Sequence, residues 1–302
     1  MKGNGELAAL LGSARGWGSR ESVDPESVRR RFDELGAVVV RDVVPAPALH
    51  WAGDAVDRFI NEQLAACEPS EGAAVIHHGA RRFVIAVNKV GANLGAVPLY
   101  LMGLPSVSAA VTAVCGPDAV CTHDWMVVKN GGDGCEVGWH QDFVHDGSHS
   151  AVNVGIYLDD AGQDGVRFIP GLRKGAEDVR LLRGRFSYDS PELISPKVSA
   201  GDLTLHDVLL VHGSPVLARG RRRTLYLEFR APEMLTGHST MTPEYVAARR
   251  QLFDTAQRLT LRLGQSPEGD PMALLAESEW RLIEKLDGMQ VMVEPANYGN
   301  GV

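Results

Sequence analysis

The hydrophobic pattern divides the chain into a helical beginning, a strand-rich middle and a helical end. Asp24-Pro25-Glu26 has the form of a helix start, an N-cap residue followed by proline in the first turn, and predicts a helix over residues 25–35. The apolar run Ala37–Val44 predicts a buried strand. A second helix is predicted from Pro45 to about Ala66, because apolar residues recur there at helical spacing: Leu49, Ala52, Val56, Phe59, Ile60 and Leu64.

The strand-rich middle runs from Val120 to Arg230, where short apolar runs alternate with Gly, Asp and Pro turns. This pattern predicts an antiparallel β-barrel or sandwich. Two further elements are predicted before it, a strand over Arg82–Val87 and a helix over Leu104–Val114.

After Pro232 the spacing becomes helical again, and helices are predicted over residues 243–263 and over Pro271–Asp287. We interpret these helices as an outer scaffold for one sheet and not as a second domain. The predicted organisation is an N-terminal arm over residues 1–26 and a single domain over residues 27–302. Within that domain we place the β core at about 120–230 and the flanking helices at about 25–66 and 242–288.

Composition and charge narrow the class of protein. The 302 residues are 44% hydrophobic and 23% charged, as in an ordinary globular enzyme. A net charge of −8 argues against nucleic acid and against an anionic membrane as a partner, and is compatible with a cationic substrate. The four cysteines lack Cys-x-x-Cys spacing, which favours reduced thiols in a cytoplasmic protein: Cys67, Cys115, Cys121 and Cys135. With no apolar leader region and no run of about 18 apolar residues, we expect neither export nor membrane insertion.

Candidate chemistry begins at Gly138-Trp139-His140-Gln141-Asp142-Phe143. Side chains in an extended strand alternate between faces, so His140 and Asp142 share one face while the two aromatic residues share the other. An imidazole and a carboxylate on one side of a strand form half of a metal site. Two histidines and one carboxylate would complete the facial triad that leaves three metal positions open, as in non-haem Fe(II) oxygenases.

A second histidine and a basic cluster follow later in the chain. A Gly201-Asp202 turn leads into an apolar run that ends at His212, followed by Ser214. The cluster Arg219-Gly220-Arg221-Arg222-Arg223 then precedes the alternating strand Thr224–Phe229. A basic residue at the start of that strand is suited to an anionic co-substrate, because the planar guanidinium forms paired hydrogen bonds with a carboxylate.

This order of motifs resembles the phytanoyl-CoA dioxygenase family, from about Arg31 to about Arg230. The resemblance implies a double-stranded β-helix, a cupin-like jelly roll, with α-helical extensions. It also implies Fe(II), 2-oxoglutarate as co-substrate, and O2. His140, Asp142 and His212 match the family's iron ligands, Arg223 matches the arginine that holds the distal carboxylate of 2-oxoglutarate, and Ser214 matches the hydroxyl beside it. The family's Ser-His pair after Pro-Gly is replaced here by Leu172-Arg173.

Other polar residues near these motifs have two possible roles. His206 has the same strand parity as His212, and is interpreted as a barrel-wall or outer-sphere histidine and not as a ligand. Lys129 and Asn130 either end a solvated strand or contact the co-substrate, and Lys129 is retained as a cofactor-binding candidate. Asn153 and Tyr157 are candidates for the barrel interior. The loop histidines His145 and His149, and the segment with His77, His78, Arg81 and Arg82, either are solvated or border the active-site mouth.

The function predicted from the sequence is an Fe(II)/2-oxoglutarate dioxygenase that oxidises a small polar metabolite by hydroxylation, ring closure or desaturation. We expect it to act in secondary-metabolite biosynthesis, of antibiotics including aminoglycosides, with the C-terminal helices as a candidate surface for homo-oligomerisation. An acyl-CoA or amino-acid hydroxylase of the same family is the first alternative. The others are a cupin-like metalloenzyme without co-substrate and a non-catalytic jelly roll that binds a ligand.

Overall fold

The structure is a computed structural model that describes residues 24–143, 150–162, 165–172, 177, 179–235 and 241–289. Within these residues the strands are β1 Ala37–Val40, β2 Ala73–His78, β3 Arg81–Val87, β4 Val120–Asn130, β5 Val137–His140, β6 Ala151–Tyr157, β7 Arg167–Phe168, β8 Leu203–Asp207, β9 His212–Ser214 and β10 Arg221–Arg230. The helices are α1 Pro25–Leu35, α2 Ala46–Ala65, α3 Val90–Leu94, α4 Ala96–Met102, α5 Pro105–Cys115, α6 Val179–Arg185, α7 Pro243–Leu263 and α8 Glu277–Gly288, with a 3-10 helix at Pro232–Leu235.

The strands form two antiparallel sheets that together make the predicted jelly roll. The large sheet has seven strands in the order β1-β8-β6-β10-β4-β3-β2, and the small sheet has three in the order β5-β9-β7. Strands distant in sequence therefore become neighbours: β10 pairs with both β4 and β6, and β5 pairs with β9. The predicted fold class is confirmed, and the division into one domain with an arm stays a prediction.

The main hydrophobic core lies on the outer face of the large sheet, beneath the helices. Leu225, Leu227 and Phe229 of β10 are fully buried there, together with apolar side chains of α2, α4 and α7. A smaller apolar cluster fills part of the space between the two sheets and includes Tyr157 and Phe168. The helices thus cover one face of the large sheet, and the other face is left to enclose a site.

The first helix follows its sequence signals closely. The side chain of Asp24 accepts hydrogen bonds from the backbone N–H groups of Glu26 and Ser27, each at 3.2 Å, and Gly36 ends the helix in the left-handed conformation with φ 75°. The following strand is shorter than predicted, because it ends at Val40. Beyond it, Asp42 takes φ 51° and donates its N–H to Asp202 at 3.0 Å, which turns the chain away from the sheet.

Other boundaries differ from the predictions at specific positions. The helix predicted from Pro271 begins only at Glu277, where the carboxylate of Glu279 accepts the backbone N–H of Ala276 at 2.7 Å. Strand β2 and the short helices α3 and α4 were not predicted. Of the predicted arm, residues 1–23 lie outside the described residues, as do residues 290–302 of the predicted C-terminal tail.

Among the described residues, no single helix is both long and apolar enough to span a membrane. The helices α4 and α5 pass that test only as a pair, and they meet at a 55° bend.

Candidate metal centre and co-substrate pocket

Three side chains from the small sheet converge on one point. Strand β5 ends at His140, strand β9 begins at His212, and these two residues are paired directly across the sheet. Asp142 follows two residues after β5 and points to the same place. One ligand atom from each of the three side chains lies within 4.8 Å of the others, with His140 Nε2 3.4 Å and His212 Nε2 3.5 Å from the Asp142 carboxylate. This spacing accommodates one ion and leaves one side of it open.

Backbone carbonyls orient both histidine rings toward that point. The Nδ1 of His140 lies 2.8 Å from the carbonyl oxygen of Gly138, and the Nδ1 of His212 lies 2.9 Å from that of Leu210. Because a carbonyl only accepts, each Nδ1 carries the proton and donates it. Each Nε2 is therefore left with a free electron pair directed at the ion, the arrangement that outer-sphere hydrogen bonds impose on metal-binding histidines.

The protonation states also suit a divalent metal. Burial lowers the pKa of His212 to about 3, although the Asp142 charge acts in the opposite direction, so the imidazole is neutral at physiological pH. Burial acts to raise the pKa of Asp142, but its contacts with His212, His140 and His206 outweigh burial and hold that pKa well below the usual range. Two neutral imidazoles and one carboxylate are the states that metal binding requires, so the donor set fits Fe(II).

Gly213 allows the two ligand strands to approach each other. A Cβ atom at this position would lie 2.7 Å from the carbonyl oxygen of Val137 and 3.0 Å from the hydroxyl of Tyr188. Any side chain would therefore push β9 away from β5 and separate His212 from His140. The close approach of β5 and β9 therefore requires glycine at position 213, directly after the second histidine.

A cavity of about 70 Å³ lies beside the three ligands, between the two sheets. Its wall includes Ser214 from β9 and side chains from the inner face of the large sheet: Trp125, Val127, Asn153, His206, Arg222 and Tyr226. Arg222 and Tyr226 are both at even positions of β10, as alternation along a strand requires. The inner face of β10 is thus its even-numbered face.

The prediction that Arg223 projects into the barrel is wrong. Its guanidinium lies on the outer face, with Nη2 2.8 Å and Nε 2.9 Å from the carboxylate of Asp159, and with Nη1 2.7 Å from Asp57 and 2.8 Å from the carbonyl of Gly53 in α2. The neighbouring Arg222 lines the cavity and is 3% exposed. Displacement by one residue along a strand reverses the face, so the sequence position alone led to the wrong arginine.

The other two cofactor-binding candidates lie together at the Arg222 end of the cavity. Ser214 Oγ accepts a hydrogen bond from Lys129 Nζ at 3.1 Å and lies 3.4 Å from Arg222 Nη2. Lys129 is paired with Arg222 across β4 and β10. Burial, with the charge of Arg222, lowers the pKa of Lys129 to about 8, so it is mostly protonated at neutral pH. Arg222 and Ser214 on the cavity wall, with Lys129 in contact with Ser214, are groups of the kind that bind a carboxylate.

The remaining candidates fall into different places. His206 lines the cavity, with Nε2 3.2 Å from Asp142. Asn153 also lines the cavity, whereas Tyr157 is buried between the sheets. Asn130 is structural, since its amide donates to the carbonyl of Val84 at 3.0 Å.

The segment with His77 and His78 forms the edge hairpin β2–β3, and Arg82 there donates to the carbonyl groups of Leu64 and Ala66 at the end of α2. None of these side chains lines the cavity. His145 and His149 lie outside the described residues.

Sequence reasoning missed two aromatic residues of the cavity wall, Trp125 and Tyr226. Their rings are stacked, with centroids 5.4 Å apart and planes 19° from parallel. Gly155 on the adjacent strand makes room for the pair, because a Cβ there would lie 2.9 Å from the Tyr226 ring and 2.9 Å from the hydroxyl of Thr204. Alternation along the strand could have indicated Tyr226, because it lies on the same face of β10 as Arg222. Trp125 is paired with Tyr226 across β4 and β10.

Together the fold and the site define a non-haem Fe(II)/2-oxoglutarate oxygenase. The profile of the phytanoyl-CoA dioxygenase (PhyH) family matches residues 32–224, more than half of the chain, and the chain belongs to this family. Its cofactors are therefore iron, 2-oxoglutarate and O2, and its substrate is a small molecule. No curated protein has significant sequence similarity to the chain.

Solved structures share the fold. AviO1 from Streptomyces viridochromogenes Tue57 is 26% identical with a TM-score of 0.60, over 70% of this chain and 97% of that protein. EctD from S. alaskensis, in complex with 2-oxoglutarate and 5-hydroxyectoine, is 17% identical with a TM-score of 0.56, over 72% of this chain and 79% of EctD. SnoK, a non-haem α-ketoglutarate-dependent carbocyclase from nogalamycin biosynthesis, is 14% identical with a TM-score of 0.56, over 71% of this chain and 88% of SnoK.

Proposed function

We propose that this protein is a cytoplasmic oxygenase that hydroxylates, desaturates or closes a ring in a compact polar metabolite. We place it in secondary-metabolite biosynthesis, with an aminoglycoside-like sugar as the substrate class. SnoK shows that the same fold is used in the biosynthesis of an antibiotic. The reaction class follows from the family, and the substrate class is the part that is proposed.

The metal ligands and the basic end of the cavity have distinct roles in this proposal. His140, Asp142 and His212 hold the iron, and Arg222 binds the distal carboxylate of 2-oxoglutarate with help from Lys129 and Ser214. Iron with 2-oxoglutarate and O2 supplies the oxidising power to remove hydrogen from an unactivated C–H bond, while 2-oxoglutarate becomes succinate and CO2. The protein's own contribution is to orient the co-substrate, exclude water and present one C–H bond.

The proposed substrate class rests on the part of the cavity wall that lies away from Arg222, which is uncharged and aromatic. That wall offers the uncharged amide of Asn153, which is 1% exposed, and the stacked rings of Trp125 and Tyr226. Amide groups bind hydroxyls, and aromatic faces pack against the C–H faces of saturated rings. The net charge of −8 adds a field that attracts cationic molecules.

A CoA thioester is the second candidate, and one feature favours it. Helix α6 carries Arg180, Arg183 and Arg185, and a Cβ placed on Gly138 would lie only 2.4 Å from Nη2 of Arg183. A basic helix next to the metal strand is a surface that phosphate groups would use. Amino-acid hydroxylation, a further alternative within the family, needs a carboxylate-binding group beyond the one that holds 2-oxoglutarate.

The test is a succinate-release assay with a panel of aminated sugars and with a CoA thioester, each at two ionic strengths. We expect coupled turnover with a member of the sugar panel, reduced at high salt because screening weakens attraction to an acidic protein. Turnover with the thioester alone, lost in the double variant R183A/R185A, would replace this proposal with the acyl-CoA one.

Homo-oligomerisation through the C-terminal helices remains a prediction. Leu261 on α7 is 77% exposed, so its side chain is accessible to a second copy of the protein. Light scattering coupled to size exclusion, for the wild-type protein and for Leu261→Lys, measures whether this surface associates.

A further inference from the structure

We infer that His206, supported by Asn153, positions the carboxylate of Asp142 and thereby sets the geometry of the iron site without binding the metal. The inference rests on the iron site formed by His140, Asp142 and His212, and it is independent of the proposed substrate. It assigns a role to His206 and to the amide nitrogen of Asn153, and leaves the amide oxygen of Asn153 for the substrate.

The first observation is the contact between His206 and the metal ligand. His206 Nε2 lies 3.2 Å from one carboxylate oxygen of Asp142, Oδ2, while His140 Nε2 approaches the other, Oδ1, at 3.4 Å. His206 is 1% exposed, and its ring packs against Phe168 and His212, with centroids 5.3 and 4.5 Å away. Packing on two sides therefore fixes the direction of the ring and of its Nε2.

The second observation concerns the proton on His206. An ionised carboxylate only accepts hydrogen bonds, so Nε2 must carry a proton to bond Asp142. A nitrogen that donates this proton has no free electron pair for a metal. His206 therefore acts as a donor to Asp142, in contrast to His140 and His212, whose Nδ1 atoms donate to carbonyls and whose Nε2 atoms carry the electron pair that a metal needs.

The third observation is the polar group opposite His206. With Nε2 protonated, Nδ1 is an acceptor, and it is buried without a hydrogen-bond partner among the described residues. Asn153 is the register partner of His206 across β6 and β8, is 1% exposed, and its amide nitrogen and oxygen likewise lack partners in this part of the chain. Buried polar groups are nearly always satisfied, so we assign the Asn153 amide as the donor to Nδ1, directly or through one water.

The resulting order of hydrogen bonds is Asn153 to His206 to Asp142. It fixes the His206 tautomer, engages Oδ2 and holds the carboxylate of Asp142 in one orientation, which would favour metal binding through one oxygen. A carboxylate bound through one oxygen preserves the open positions that 2-oxoglutarate and O2 require. Without the donor, the carboxylate would be free to rotate or to bind through both oxygens.

The experiment compares His206→Phe, which keeps a ring of similar size without the donor, with His206→Gln, whose amide nitrogen can replace Nε2. Anaerobic titration gives the Fe(II) affinity, and the visible charge-transfer band formed with 2-oxoglutarate reports the coordination geometry. Loss of an outer-sphere partner typically weakens metal affinity by about 10- to 100-fold. We expect H206F to lose Fe(II) affinity by this factor and to show a shifted charge-transfer band. H206Q should recover most of the wild-type affinity and band position.

Two matched variants complete the comparison. Asn153→Leu should weaken Fe(II) binding in the same direction as H206F but by less, since it acts one hydrogen bond further away. His123→Phe alters another histidine on the large sheet, on strand β4, and should leave the affinity and the band unchanged.

Pulsed EPR of the iron–nitrosyl adduct of the wild-type protein counts coordinated imidazoles and does not depend on any variant folding. Two imidazoles are expected. Three would show that His206 is a ligand and would overturn the inference, as would wild-type affinity and band in H206F. Recovery in H206Q excludes a purely structural effect, because a packing defect would not be repaired by an amide.

Discussion

The two faces of the large sheet treat buried polar groups in opposite ways. On the outer face, beneath the helices, polar groups are paired: Arg249 donates to the carbonyl of Cys121 at 2.6 Å and forms an ion pair with Asp124. On the inner face, the side chains of Asn153, Thr204 and Thr224 are buried without hydrogen-bond partners among the described residues. Away from the site, the inner face is paired as well, as in the ion pair of Arg230 with Glu228. Incomplete pairing therefore marks the part of the inner face around the cavity, where small molecules would bind.

Arg222 and Arg223 show this difference within one dipeptide. Arg223 joins β10 to α2 and to Asp159, so its hydrogen-bonding capacity is used by the fold. Arg222 faces the cavity beside Ser214 and opposite Lys129. An anion-binding residue must face the space that its ligand occupies, and of these two arginines only Arg222 lines the cavity.

The largest effect is expected at the metal ligands on the inner side. His140→Ala, Asp142→Ala and His212→Ala should each abolish Fe(II) binding and turnover, because the site has no protein ligand to spare. Anaerobic iron titration measures the binding, and circular dichroism should show that the fold is retained. Iron binding that survives in H212A and is lost in His206→Ala would exchange the roles of these two histidines.

The adjacent arginines provide a second test. Arg222→Ala should raise the KM for 2-oxoglutarate about 10- to 150-fold, the equivalent of a charge-assisted hydrogen bond of about 1.5–3 kcal/mol, with little change in stability. Arg223→Ala should leave that KM nearly unchanged and lower the free energy of unfolding, by about 1–3 kcal/mol, because it removes the guanidinium that bonds Asp159 and the carbonyl of Gly53, while Asp57 keeps its ion pair with Arg221. Kinetics and urea denaturation of both variants are the measurements. Equal effects of the two substitutions on the KM would mean that the cluster acts as a diffuse field.

A smaller effect is expected from the titration of Lys129. Its pKa of about 8 means that the ammonium loses its proton as the pH rises through 8. A dianionic co-substrate binds the protonated form better, so 2-oxoglutarate affinity should be constant below that pH and fall above it. Isothermal titration of the anaerobic iron enzyme from about pH 6.5 to about pH 9.5 measures this affinity over roughly one and a half pH units on either side of that pKa. The Lys129→Met variant should bind 2-oxoglutarate more weakly at neutral pH, and its affinity should not fall at high pH. A fall in affinity that persists in this variant would show that another group titrates.

The smallest effect concerns two buried threonines. Thr204 on the inner face has an unpartnered hydroxyl, whereas Thr260 on α7 donates to the carbonyl groups of Tyr100, at 2.8 Å, and Ala256, at 3.0 Å. Thr204→Val should therefore be neutral or stabilising, and Thr260→Val should cost about 0.5–1.5 kcal/mol. Urea denaturation without ligands gives both values. A clear loss of stability in T204V would show that its hydroxyl is already satisfied, by water for example.

The sequence by itself determined the features that depend on local pattern. The cap at Asp24, the breaks at Gly and Pro, and the alternation around His140 and Asp142 predicted helix α1, the β-rich middle and half of the metal site. The spacing of motifs then led to His212 and to the family. These predictions were confirmed because neighbouring residues in a chain and a strand period of two are nearly independent of the rest of the fold.

Only the tertiary structure decided which face of each strand became the interior. The sequence shows that Arg223 shares a face of β10 with the apolar Leu225, Leu227 and Phe229. Only the structure shows that this apolar face packs beneath the helices and that the opposite face, with Arg222, encloses the site. The aromatic pair Trp125 and Tyr226 and the contact of His206 with Asp142 depend on strands far apart in sequence. Local pattern cannot specify such contacts, because register between distant strands is set by packing of the whole core.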